Sequence, residues 1–151
     1  MGTRRCNCTA SAFRALLTFN QPVTAFTATP GSFANEEFDL NDEFDFVAFV
    51  PKQDGVYSVE ASVVFSATNP NLPSQVVLNI FVNNVVRASS QENIPAVPGA
   101  NSVKTSMITE LQAGDRVEVS ATSNRNGLIF QSSPFSSVGT IFEAARFSFS
   151  E

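Results

Sequence analysis

Hydrophobic and polar residues alternate along much of this chain with a period of two, which is the pattern of β-strands that have one buried face. The segment from residue 56 to residue 67 shows this alternation clearly. One side of it carries the apolar residues Tyr57, Val59, Ala61, Val63 and Phe65, whereas the other side is mostly serine and glutamate. We therefore predict that the first side faces a hydrophobic core.

Ten candidate strands follow one another, separated by clusters of Pro, Asn, Asp and Gly. They span residues 13–19, 33–40, 44–50, 56–67, 76–82, 85–89, 102–111, 116–122, 128–131 and 138–149. Asn83 and Asn84 predict a two-residue type I′ hairpin turn, because Asn tolerates the positive φ required at both central positions. Phe13, Leu16 and Leu17 also match a helical stripe, but we assign a strand there because every other segment is a strand.

These features predict an all-β protein, a two-sheet antiparallel jelly-roll sandwich of about ten strands. A chain of 151 residues with 43% hydrophobic content fits one domain with a sizeable core. We assign residues 12–151 to this domain and residues 1–11 to a flexible tail that carries Cys6 and Cys8. The two thiols belong to a disordered tail, which is the favoured interpretation, or they form disulfide links between chains or attach the protein to another layer.

The fifth segment is apolar on both sides. Val77 and Phe81 occupy the side that should be polar in a monomeric antiparallel sheet. Covering loops are one explanation, but a subunit contact is favoured because exposed apolar patches usually mark interfaces. Charged residues make up only 15% of the chain, which also suggests a surface covered by another subunit. We predict a trimer interface that contains Val77, Phe81 and Tyr57 or a neighbour of Tyr57.

The charge balance and hydropathy exclude two classes of partner. A net charge of −5, with nine Lys and Arg spread along the chain, argues against nucleic acid. No stretch approaches the roughly 20 apolar residues that span a bilayer, and the N-terminus lacks the apolar core of a signal peptide. We therefore expect a soluble chain with no membrane span.

The sequence contains no histidine. This excludes Ser-His-Asp and Cys-His catalytic arrangements and the common histidine-based zinc centres. Asp45 and Glu60 on predicted strands are candidates for a glycosidase-type carboxylate pair, but their spacing does not mark a cleft. Solvated strand positions for these two residues, and a turn role for Asp115, are favoured. We predict a protein that is not an enzyme.

Six of the fourteen acidic residues fall in the ten positions from Glu36 to Asp45. This acidic stretch is a candidate calcium site, with Asp39 and Asp42 as candidate ligands. Its alternation matches the first half of an EF-hand loop, but Phe44 replaces the required glycine and Val50 replaces the closing glutamate. A solvated, charged strand edge is the favoured interpretation, and we predict no cofactor.

Two segments share the order strand, turn, strand. The matched positions have the spacings F-x5-G-x-Y and L-x2-G-D-x-V, and they are Phe49, Gly55, Tyr57, Leu111, Gly114, Asp115 and Val117. Together with Ala12-Phe13 they resemble the globular head of the complement C1q and tumour necrosis factor superfamily, which includes bacterial C1q-like domains at the tips of the spore-surface nap. The resemblance extends over about residues 12–149.

This resemblance implies a bell-shaped homotrimer, in which the apolar outer face of one sheet packs around a threefold axis. It also implies binding through loops or through the grooves between subunits. We expect a non-enzymatic structural or recognition head with a protein or glycan partner, on an extracellular, cell or spore surface. Residues 68–74 and 90–101 are the expected recognition loops. The alternatives are a phage or viral surface jelly roll and a carbohydrate-binding lectin or enzyme domain.

Overall fold

The computed structural model describes residues 9–131 and 139–148, which form twelve strands and no helix. The strands are β1 (Ala12–Leu16), β2 (Gln21–Val23), β3 (Thr29–Pro30), β4 (Asn35–Asp39), β5 (Ala48–Phe49), β6 (Gly55–Ala67), β7 (Ser74–Val82), β8 (Val85–Ile94), β9 (Asn101–Leu111), β10 (Val117–Ser123), β11 (Gly127–Ile129) and β12 (Ile141–Arg146). The predicted all-β class is confirmed. Among these residues, no helix has the length and hydrophobicity needed to cross a membrane.

The strands pair antiparallel in two sheets. In the seven-stranded sheet, β9, β6, β12, β1 and β4 lie side by side, and the short strands β11 and β2 continue beyond the end of β12. In the five-stranded sheet, β3 and β5 pair with β10, which is followed by β7 and β8. Within the described residues, β4 and β9 are therefore opposite edges of the larger sheet, and β8 is an edge of the smaller one.

The core lies between the inner faces of the two sheets. The alternation in β6 buries its odd-numbered apolar residues, as the sequence predicted. Phe13 of β1 is the centre of an aromatic cluster, with its ring centroid 4.6 Å from that of Phe44 and 4.9 Å from those of Phe49 and Phe142. Phenylalanine suits this position because it fills a large volume without a polar atom that needs a partner.

The turns explain the spacing of the sequence motifs. Asn83 and Asn84 have φ values of 51° and 65°, which confirms the predicted type I′ turn. Gly114 has a φ of 91°, a conformation that side chains disfavour. Asp115 accepts hydrogen bonds from the Gln112 N–H at 2.8 Å and from Asn83 Nδ2 at 2.9 Å. The Gly-Asp motif therefore joins two turns at one end of the sandwich.

Several predicted strand boundaries were wrong. The segments 33–40 and 44–50 shorten to β4 and β5. Phe46 has a positive φ of 72° that interrupts the second segment, and Asp42, with a φ of 53°, lies in the turn between the two segments. β8 continues to Ile94, through part of the expected recognition loop 90–101. β8 is an exposed edge strand, so its sequence has little apolar alternation. The ends of the predicted strand 138–149 lie outside the described residues, and β12 lies within it.

The folded body begins within the segment predicted as a tail. Ser11 is buried, and its hydroxyl donates a hydrogen bond of 2.6 Å to Glu43 Oε1. The Ser11 carbonyl accepts the Arg146 N–H at 2.9 Å. Cys6 and Cys8, and with them the predicted disulfide links, lie outside the described residues.

Candidate functional site

The outer face of the seven-stranded sheet contains a shallow trough. Ala12, Ala145 and Ser58 are cross-strand neighbours on β1, β12 and β6, and Ile108 of β9 completes the row. These small side chains leave a depression of about 160 Å³, which is also lined by Phe38 and by the glutamates Glu60 and Glu143. Ile108 is 70% exposed and Phe38 is 43% exposed. The trough therefore has a floor of small residues, Phe38 and two glutamates in its lining, and Ile108 beyond Ser58 in the same row.

Charged residues form the next row on this face. Arg14, Glu143 and Glu60 are cross-strand neighbours on β1, β12 and β6. Arg14 Nε lies 3.0 Å from Glu37 Oε2, and Arg14 Nη1 lies 3.7 Å from Glu143 Oε2. Burial raises the pKa of Glu143, Arg14 opposes this increase, and Glu60 adds to it. The face is therefore apolar along one row and charged along the next.

The outer face of the five-stranded sheet carries Val77 and Phe81. Val77 is paired with Gln91 and Thr122, and Phe81 with Val86 and Glu118. Both side chains are half-buried. Three of these four neighbours are polar, and the fourth, Val86, is exposed. The apolar surface on this face therefore extends from Phe81 to Val86, whereas Val77 has polar neighbours on both sides.

Tyr57 lies in a different environment from Val77 and Phe81. It belongs to the other sheet, its side chain is completely buried, and its ring packs edge-on against Phe49 with centroids 5.7 Å apart. Its hydroxyl donates a 2.8 Å hydrogen bond to the Gln53 carbonyl, and burial raises its pKa. Tyr57 is therefore a core residue, and assigning it to an interface does not fit this position. The F-x5-G-x-Y spacing is explained by packing of its two aromatic residues.

A polar groove of about 400 Å³ lies between the edge strands β8 and β9. Two exposed cations, Arg87 of β8 and Lys104 of β9, line it together with serine hydroxyls and with Glu60. In residues 9–131 and 139–148, neither cation makes an ion pair. The groove therefore offers positive charge that is not neutralised by a contacting carboxylate of its own subunit.

The acidic stretch forms loop contacts. Asp39 Oδ2 accepts the N–H groups of Glu43 and Phe44, each at 2.8 Å. The buried carboxylate of Glu43 accepts hydrogen bonds from the Ser11 hydroxyl and the Lys52 N–H, each at 2.6 Å. Asp42 is exposed at a turn. Within the described part of the chain, no group of three or more acidic or cysteine side chains is arranged to hold a metal ion. The absence of a cofactor stays a prediction.

The candidate catalytic carboxylates have separate structural surroundings. Burial alone would raise the pKa of Asp45, but N–H groups of Ala48 and Val47, at 2.7 and 3.1 Å, and the nearby Arg116 lower it. Glu60 lies on the outer face of the seven-stranded sheet, and Asp115 caps a turn. A carboxylate held ionised by backbone donors stabilises a loop, so Asp45 has the properties of a structural residue.

Sequence reasoning missed the trough and Ile108. In β9 the inward positions are Val103, Thr105 and Met107, so Ile108 occupies a position where a polar residue is expected. This is the same signal that singled out Val77 and Phe81. The floor of the trough had no such signal, because Ala and Ser are common on any strand.

No protein-family model matches the sequence, and no curated protein matches it. The structure is similar to solved structures of TNF-family proteins. One is the Eiger TNF of S. frugiperda, with a TM-score of 0.64 and 13% identity over 94% of each chain. Another is murine APRIL, with a TM-score of 0.59 and 14% identity over 91% of this chain and 99% of that one. The C1q/TNF-like jelly-roll fold predicted from the motifs is confirmed.

Proposed function

We propose that this C1q/TNF-like domain is a non-enzymatic recognition head that assembles as a homotrimer through the outer face of its seven-stranded sheet. The observation that carries this proposal is the trough, with its floor of small side chains, together with the exposed Ile108 next to the floor residue Ser58. Small side chains allow a second chain to approach the sheet closely. Complete burial of an exposed isoleucine is worth roughly 1.5–3 kcal/mol, and a threefold arrangement repeats this contribution in every subunit.

The alternative contact surface is the one predicted from the sequence, at Val77 and Phe81. We favour the seven-stranded sheet because Ile108 is more exposed than Val77, Phe81 or the neighbouring Val86, and because this face has a depression that a partner side chain can fill. Val77 and Phe81 are half-buried, so additional burial has less apolar area to remove from water.

The absence of histidine and the structural surroundings of Asp45 and Asp115 support a role without catalysis. For recognition we propose the loop that joins β6 to β7, where Leu72 is 40% exposed, and the grooves between subunits. Loops on a rigid sandwich can vary without loss of the fold, and they suit a protein or glycan partner. We place this role on an extracellular, cell or spore surface, as the resemblance implies.

Light scattering coupled to size-exclusion chromatography tests the proposal. We expect a mass of about three times the 16.2 kDa subunit for the wild type. Ile108→Asp should yield folded monomer, because a charge in a dry contact is strongly unfavourable. Val97→Asp is the matched control, since Val97 is an exposed valine in the loop before β9.

Two results would contradict the proposal. A wild-type mass near one subunit at micromolar concentration would exclude the trimer. Dissociation by Phe81→Asp, with Ile108→Asp still trimeric, would move the contact to the five-stranded sheet.

A further inference from the structure

We propose that neighbouring subunits also meet through oppositely charged edges, with the acidic β4 edge of one subunit against the cationic groove between β8 and β9 of the next. This inference rests on the proposed homotrimer, and it names a second contact that the trough does not supply. It assigns a role to Arg87 and Lys104, which make no ion pair with any residue that the structure describes.

The groove supplies the cationic side of this contact. Arg87 and Lys104 project from strands of different sheets and line the same depression. Ser89, Ser90 and Ser106 add hydroxyl groups between them, and these groups can donate hydrogen bonds to carboxylates. Glu60 also lines the groove, so the two cations leave its lining with an excess of one positive charge. With several hydroxyls beside it, this charge suits a carboxylate-bearing partner.

The β4 edge supplies the acidic side. Glu36 and Glu37 are both exposed on this strand, and Asp42 is exposed in the turn that follows. Glu37 pairs with Arg14 of its own subunit, so Glu36 and Asp42 are the carboxylates that this edge offers to a partner. Glu36 makes no ion pair within the described residues. Desolvation raises the pKa of Glu36, and the neighbouring Asp39 and Asp42 raise it further. This edge therefore carries mutually repelling carboxylates that a cation from outside the subunit would stabilise.

The topology places the two surfaces on different sides of the subunit. Within the described residues, β4 and β9 are opposite edges of one sheet, so a subunit can present its acidic edge to one neighbour and its groove to another. A contact between two different surfaces is heterologous, and repeated heterologous contacts close into a ring when the rotation allows it. A contact between like edges would instead bring like charges together and is disfavoured.

A second copy of this chain is the occupant we favour for the groove. Each copy that supplies a cationic groove also supplies an acidic edge, so an assembly of identical subunits satisfies both surfaces at once. A free anionic glycan would neutralise the groove but would leave the acidic edge of every subunit unpaired.

Charge reversal tests the contact. Arg87→Glu should raise the trimer dissociation constant at least about tenfold in sedimentation equilibrium, and Glu36→Lys should do the same. Arg125→Glu is the matched control, because Arg125 is a surface arginine in a different cavity, between β7 and the loop after β10. The double variant Arg87→Glu/Glu36→Lys should recover most of the lost affinity. Wild-type affinity should also fall when sodium chloride is raised from about 0.05 to 0.5 M.

The outcomes separate this inference from the proposed function. A trimeric wild type whose affinity is changed equally by Arg87→Glu and Arg125→Glu, without recovery in the double variant, would overturn the edge contact and leave the trimer in place. A monomeric wild type would overturn both. If Arg87→Glu leaves the trimer intact but abolishes binding of a sulfated oligosaccharide, the occupant is a glycan and the edge contact is wrong.

Discussion

The outer faces of the two sheets differ in how far each subunit covers its own apolar residues. On the five-stranded sheet, Val77 and Phe81 belong to the interior strand β7 and are half-buried between side chains of β8 and β10. On the seven-stranded sheet, Ile108 belongs to β9, which among the described strands pairs only with β6, and it remains 70% exposed. An apolar residue at an outward strand position, where a polar residue is expected, is therefore half-buried in an interior strand and exposed in an edge strand.

The charged residues show the same contrast. On the five-stranded sheet, Arg116 pairs with Glu118 and lies 3.4 Å from Asp45, so its charge is balanced locally. On the seven-stranded sheet, Arg14 lies near Glu37 and Glu143, but the other cross-strand neighbour of Glu143 is Glu60, which makes no ion pair within the described residues. Cross-strand pairs of like charge are destabilising, whereas pairs of opposite charge contribute to stability. In the isolated subunit, the outer face of the larger sheet therefore leaves more of an apolar side chain exposed and carries neighbouring like charges.

The largest expected effect concerns the core on which both faces rest. Phe13→Ala removes a buried ring that packs against three other aromatic rings, so we expect a loss of about 3–5 kcal/mol in the free energy of unfolding. Denaturant unfolding at fixed protein concentration measures it. Phe26→Ala is the matched control, since Phe26 is 81% exposed and its removal should change stability little. Equal losses in the two variants would show that the rings contribute no specific packing.

The next effect distinguishes the two faces directly. Ala145→Phe fills the trough, and we expect it to weaken the trimer by about 2 kcal/mol, or about thirtyfold, because the partner can no longer approach the sheet. Thr122→Phe adds the same ring to the outer face of the five-stranded sheet and should leave the mass unchanged. Sedimentation equilibrium measures both. Dissociation by Thr122→Phe alone would favour the surface around Val77 and Phe81.

The smallest effect concerns the carboxylates on the two faces. The pKa of Glu143 is raised above the ordinary value of 4.5, so the folded protein binds this proton more tightly than the unfolded chain. The stability contributed by Glu143 therefore falls as the pH rises above about 4.5. Glu143→Gln should raise the melting temperature at pH 7 by about one or two degrees, a small change because solvent screens a partly exposed group. The difference from wild type should disappear below that pH.

Glu118→Gln is the matched variant on the five-stranded sheet. It removes the ion pair with Arg116, so at pH 7 it should lower the melting temperature slightly or leave it unchanged. A comparable increase in melting temperature for both variants would show that the effect comes from the lower total charge. It would not then come from relief of the repulsion between Glu60 and Glu143.

Much of the fold could be predicted from the sequence, because the decisive interactions are local. The alternation in β6, the Asn83-Asn84 turn and the positive φ of Gly114 each follow from residues that are adjacent in the chain. The strands β2 and β3 were missed because two or three residues carry no periodic signal, and pairing with β11 and β10 is what holds them extended. β8 was predicted too short because an exposed edge strand needs no apolar face.

The candidate site could be predicted only in part. The sequence by itself determined that one strand face carries excess apolar residues, and that the acidic residues cluster between Glu36 and Asp45. Tertiary structure alone decided that Tyr57 is enclosed in the core. It also brought Ala12, Ala145 and Ser58 into one row, and it placed Arg87 in the same groove as Lys104. The physical reason is that alternation specifies which side of a strand is apolar, whereas exposure and juxtaposition depend on strands that are distant in the chain.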